Sequence, residues 1–248
     1  MDCLNIDKIL DGGVHKEGKM TKRPVFISNI NREDYVEKIE IDFKWCPGFS
    51  VSQKQKSIES LHCNFKERFK DKKIIEISSK SPDELGIKLS AFNLYFTHET
   101  MSKSISVESA FQASKVFENG GPYLDLLNKT SKEAKQDLRL KESGELNYFL
   151  YESRKWELEP KTLFYDWLYI QTLMNNSSLI DDITQFDAFT DIEFNPAKSI
   201  NCQARSVALF VSLHKLNLLD KISLSPEAYI DIVSGKRSIQ AKQMSLFD

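Results

Sequence analysis

The chain has 248 residues, of which 41% are hydrophobic and 16 are phenylalanine, with a net charge of −2; this is enough apolar material for one large domain with appended pieces. That charge excludes a protein that grips nucleic acid by bulk electrostatics, since neutralising phosphates needs an excess of lysine and arginine. Four cysteines without a CxxC pair and four isolated histidines argue against a structural zinc site and for reduced thiols in a cytosolic chain.

In chain order, residues 1–22 read as a polar lead-in with no signal peptide. Residues 23–30 form a strand. Ile39, Ile41, Phe43 and Trp45 alternate with charged residues, the pattern of a half-buried strand, which Pro47 and Gly48 end. Residues 53–69 read as a helical or mixed segment with a basic face; Lys66, Arg68, Lys70, Lys72 and Lys73 form one basic cluster and Lys129, Lys132, Lys135, Arg139 and Lys141 a second. Residues 74–77 make a short apolar strand, followed by the polar loop SSKSPDELG. Helices are expected over 106–117, 132–140, 163–174, 203–219 and 225–233. The fourth is apolar nearly all round and therefore buried; the last is capped by Ser225 with Pro226 at its first position. The longest near-apolar run, 207–213, is far short of the ~20 residues that span a bilayer. The organisation is a strand-rich extension over 1–72, a main domain over 73–235 and a tail over 236–248.

The run SVESAFQASKVF, residues 106–117, carries the most chemistry. Ser106 caps the helix by accepting from a free first-turn amide. Glu108, Gln112 and Lys115 fall at i, i+4 and i+7 and align as one polar stripe. Glu108 lies in the first turn, where the helix dipole favours a negative group, and such a group beside an apolar wall suits a reaction that develops positive charge on its substrate. Read alone, the segment is an ordinary amphipathic helix three times in four. No Walker loop, GxGxxG, GxSxG or HExxH occurs.

Several elements in order resemble the NADAR superfamily, also called YbiA-like: Ser90-Ala91-Phe92 within LSAFNL, Glu108 to Lys115, Ala134 to Arg139, Trp156-Glu157, and Asp191 to Asn195. The chain departs from the family pattern with Ala91 for asparagine, Ser109 for histidine, and Phe194-Asn195 for Trp-Gly. The strings PGFSVSQKQKSIESLH, EISSKS and NCQARS are similar to the subgroup associated with DarT-type toxins. The resemblance implies an α+β fold with a mainly helical core and an added N-terminal β-containing segment. It implies an N-glycosidase that hydrolyses ADP-ribose from guanine in DNA as the antitoxin to a DarT-type ADP-ribosyltransferase, in a bacterial cytoplasm and without a cofactor or metal. Alternatives are an N-glycosidase of small ribosyl-amine metabolites and a non-catalytic antitoxin that binds ADP-ribose or the toxin.

The resemblance places Glu108 and Asp191 as an acid pair flanking the scissile bond. Glu108 would activate water and stabilise the cation, and Asp191 would position the ribose or protonate the base, or the reverse. Trp156 would stack on a ring, and Lys115 offers a second route through an imine. Ser90, Phe92, Asn93, Phe111, Gln112, Arg139, Phe194 and Asn195 would bind substrate, with Arg139 as a bidentate fork for pyrophosphate. Gln243, Met244, Leu246 and Phe247 in the tail resemble the peptide by which bacterial partners enter the sliding clamp.

Overall fold

The structure, a computed structural model, describes residues 19–98, 103–197 and 199–234; the clamp-like residues Gln243, Met244, Leu246 and Phe247 lie outside the described residues. The fold is α+β. Strand β1 (Lys19–Ser28) pairs antiparallel with β2 (Val36–Trp45), so the alternation read in the sequence does form a hairpin. Helix α1 (Val51–Arg68) follows, capped by Ser50, whose side chain accepts from Gln53 N. Strands β3 (Ile74–Glu76) and, far along the chain, β9 (Ala188–Thr190) lie parallel, and β9 joins β1 antiparallel, giving the sheet order β2-β1-β9-β3.

The period-2 alternation sorts this sheet's side chains. Val25, Ile27, Ile41 and Phe43 pack on Ile58, Leu61 and Phe65 of α1, while Phe26, Val36 and Phe189 enter the larger core on the other face. That larger core is built on α3 (Val107–Ala113), α6 (Leu163–Met174) and α8 (Gln203–Lys215). Along α8 every residue from Gln203 to Leu213 except Arg205 is buried, as its all-round apolarity predicts. Arg205 and Ser206 of α8 bond Asp166 of α6, with Ser206 Oγ donating at 2.6 Å. The carboxylate is 2% exposed, and these bonds fix where α8 begins.

Between these layers lie α2 (Glu84–Lys88), the hairpin β4 (Tyr95–His98) and β5 (Lys103–Ser106), and a sheet of β6 (Lys115–Phe117), β7 (Leu146–Tyr151) and β8 (Arg154–Trp156). Short helices α4 (Ser131–Gln136), α5 (Arg139–Glu142), α7 (Ile180–Ile183) and α9 (Leu219–Leu224) and the terminal α10 (Pro226–Val233) complete it. Among the described residues no helix is long and apolar enough to cross a membrane.

Two expected helices and one expected loop are corrected. The Ser106 helix stops at Ala113, because Val116 and Phe117 are strand formers that pair with Tyr148 and Leu146 of β7. Lys115 therefore opens β6 rather than closing a helical stripe. The expected helix over 132–140 is two pieces, α4 and α5, parted at Asp137, which takes an extended conformation and bonds Lys129 and Arg139. The expected polar loop after β3 holds α2.

Candidate functional site

One acid sits at the start of α3. Ser106 Oγ accepts from Ser109 N at 3.1 Å, the expected cap. The Glu108 amide then donates to Ala91 O at 3.0 Å, which ties the helix entry to the Ser90-Ala91-Phe92 turn. The Glu108 side chain is 5% exposed. Its Oε1 accepts from Gln112 Nε2 at 2.8 Å and lies 3.6 Å from Lys135 Nζ of α4. Lys135 in turn lies over the Phe92 ring, with Nζ 4.9 Å from the centroid. Gln112 Oε1 is buried and has no partner among the described residues.

Lys115 of β6 lies within the field of this carboxylate without pairing to it. Its Nζ lies 4.9 Å over the Phe111 ring. Burial pushes its pKa down to about 8, with Lys135 adding to the effect and Glu108 opposing it. Backbone crowding holds it there: Gly121 has φ +90°, and a Cβ at that position would lie 2.2 Å from Lys115 O. Only glycine lets that turn close on β6.

The other acid stands where parallel strands β3 and β9 end, the end of such strands where ligands gather. Asp191 Oδ1 accepts from Glu193 N at 3.0 Å and Phe194 N at 3.1 Å. Burial, and then the negative charge of Glu76, push the Asp191 pKa up to about 8 despite these bonds. Glu76, at the end of β3, is fully buried and also raised by burial. It accepts from Thr190 Oγ1 at 2.6 Å and from Ile192 N at 2.7 Å. With that hydroxyl proton committed, Thr190 Oγ1 can only accept from His62 Nε2 at 2.8 Å. Burial, then Lys66, lower His62 to about 3, so its ring is neutral. Gly86 of α2 covers the strand end; a Cβ there would lie 2.0 Å from Glu76 O.

The two acids are joined by one peptide and one amide. Glu108 N–H donates to Ala91 O, Ala91 N–H donates to Gln203 Oε1 at 2.7 Å, and the Gln203 side chain bonds Asp191. Tyr165 lies within reach of both charges; burial first, then Glu108, raise its pKa and keep its hydroxyl protonated. Glu108 and Asp191, distant in sequence, are thus both tied to the backbone of residue 91, Glu108 through its own amide and Asp191 through Gln203.

Other expected residues fall in three settings. Ser90 is buried beneath the turn, Phe92 is half-buried under Lys135, and Phe194 and Asn195 follow Asp191 in its turn. Phe111 and Trp156 belong to the aromatic core: Trp156 is 2% exposed and packs 4.8 Å from Trp167 and 5.5 Å from Phe164. Stacking it on a ligand would forgo burial worth about 3 kcal/mol. Asn93 is exposed, with Nδ2 donating to Ile87 O at 3.0 Å. The fork of Arg139 is engaged on both edges, by Asp125 at 2.7 and 3.1 Å and by Asp137 at 2.8 and 2.9 Å. Of the basic cluster around α4, Lys135 is the cation that touches the acid.

Sequence reasoning missed Glu76, Gln203 and Lys135. A glutamate inside the apolar run IIEI, a glutamine in NCQARS and a lysine among the basic residues between Lys129 and Lys141 are the available signals. Among the described residues no cluster of histidine, cysteine and carboxylate side chains could hold a metal. A groove of about 1420 Å³ runs between Tyr95, Tyr151, Trp167 and Asn176 and includes neither acid.

An α+β chain that carries these motifs in this order belongs to the NADAR class. The sequence matches the family model of DarT1-associated NADAR antitoxins over residues 21–243, and the chain belongs to that family. No curated protein matches it.

Proposed function

We propose that this antitoxin is an N-glycosidase that hydrolyses ADP-ribose from guanine bases in DNA. The observation that carries the reading is a pair of carboxyl groups in unlike settings around Ala91. Asp191, pushed up to about 8, holds its proton at neutral pH; Glu108 sits at a helix start with Lys135 and Gln112 on its oxygen. Two such groups are what glycosidic cleavage through an oxocarbenium-like transition state uses. Water adds to C1 of the distal ribose and gives its proton to Glu108, while the bond to guanine breaks and the base nitrogen takes the proton of Asp191. Glu108 also faces the developing cation. Gln112 Oε1, buried and unpartnered, suits a ribose hydroxyl or base N–H.

Lys115 supports a second route. An amine with a pKa near 8 is partly neutral at working pH and can attack C1, expelling guanine with the Asp191 proton; ring opening gives an imine that water hydrolyses. The partners in this reading are ADP-ribosylated DNA, the released ADP-ribose and a cognate DarT-type toxin. The test is protection of cells that express such a toxin. A hydrolase loses protection with Glu108→Gln at equal protein level, whereas an antitoxin that acts by binding alone keeps it.

A further inference from the structure

We propose that the groove at the carboxyl end of α1 seats phosphate groups of the DNA strand that carries the modified base, an inference that rests on the DNA reading above. Lys66, Lys70, Lys72 and Lys73 line a cavity of about 440 Å³ floored by Ile74 and Phe186. Among the described residues none of the four amines has a hydrogen-bonding or ion-pairing partner. Asp187, the carboxylate beside them, accepts from the Lys73 amide at 3.1 Å and pairs with Lys215. Glu67 and Asp71 are exposed and do not line the cavity.

The second basic cluster shows the contrast. Its Lys129, Lys135 and Arg139 are answered by Asp125, Asp137 and Glu108, so those three cations are neutralised from within. The groove is not. Like charges gathered around one cavity repel, and a chain of net charge −2 does not need them there for solubility. Lysine stems lying on an apolar floor present their ammonium groups to the cavity mouth, and an ammonium is a point charge suited to phosphate. Ile74 begins β3 and Glu76 ends it, so the groove floor and the acid site lie about 7 Å apart along one strand. That is short beside an oligonucleotide, and one strand can occupy both.

The test uses the full chain with Lys66→Gln, Lys70→Gln, Lys72→Gln and Lys73→Gln combined, assayed on an ADP-ribosylated single-stranded oligonucleotide and on ADP-ribosyl-guanosine. The expected result is a KM for the oligonucleotide raised about 10-fold, with a log–log salt slope reduced by about 3, at about 0.7 per phosphate contact. Hydrolysis of the nucleoside should not change. An unchanged oligonucleotide KM and salt slope, or equal slowing on both substrates, overturns the proposal. If the native protein cleaves neither substrate, the glycosidase reading has failed, and binding of a labelled, unmodified oligonucleotide decides the groove alone. Binding weakened by the four substitutions supports it; equal binding overturns it, including the case in which affinity for the toxin is what falls.

Discussion

Replacing Asp191 by asparagine removes a proton-binding group while keeping an oxygen for the amides of Glu193 and Phe194, which lie 3.0 and 3.1 Å from Oδ1. The carboxyl has a pKa of about 8 in the fold against an ordinary 3.8. Below pH ~4 both folded and unfolded chains hold the proton, and the residue does not penalise folding. Between ~4 and ~8 the unfolded chain gives up a proton that the fold retains, so stability falls as pH rises; above ~8 the penalty is constant. A difference of about 4 units corresponds to roughly 6 kcal/mol at 1.36 kcal/mol per unit, an upper bound because relaxation and water entry screen a real site. A gain of about 1–3 kcal/mol for Asp191→Asn at pH 8.5, shrinking towards pH 4.5, is therefore expected from urea denaturation. The same variant should lose about 10²–10⁴ in kcat if Asp191 is the acid. A variant no more stable than the native protein at pH 8.5, with no pH dependence in the difference, would refute the claim that the fold holds this acid protonated.

Gln203→Leu should orphan the buried Ala91 amide, costing about 1–3 kcal/mol in stability, and loosen both acids, seen as a fall in kcat without a matching rise in KM. Lys115→Met should stabilise the protein at pH 7 and lose that advantage above pH ~10. This follows because burial lowers the lysine to about 8 from 10.5, and the fold is penalised only where the unfolded amine is charged. If the amine is the nucleophile, borohydride should trap ADP-ribose on the native chain and not on this variant. Lys135→Gln, which removes the cation 3.6 Å from Glu108 Oε1, should raise KM several-fold and lower stability by about 1–2 kcal/mol in urea denaturation, since the lysine is exposed but the carboxylate it leaves is buried, with Gln112 still donating to it.

Local signals were legible where the chain caps itself. Ser106, and Ser225 with Pro226, mark their helix starts, because those contacts span only a few residues. The Ser106 helix is shorter than its spacing predicts, because Lys115 continues a helical repeat whereas Val116 and Phe117 answer to a strand some 30 residues away. Both acids could be named from motifs. What could not be read was the link between them, since Gln203 meets Ala91 across 112 residues and nothing local to either reports the other. Arg139 failed as a free fork for the same reason: its partner Asp125 lies 14 residues back, and the sequence pattern shows charge but not pairing.

The central claim is that Glu108 and Asp191 act on one sugar carbon, and a direct measurement is ADP-ribose release from an ADP-ribosylated guanine oligonucleotide, followed by mass spectrometry. Free ADP-ribose and restored, unmodified guanine are expected with the native protein, and release slowed at least ~10²-fold by Glu108→Gln and by Asp191→Asn. Oligonucleotide that is bound but never cleaved, or cleavage indifferent to both substitutions, would contradict it.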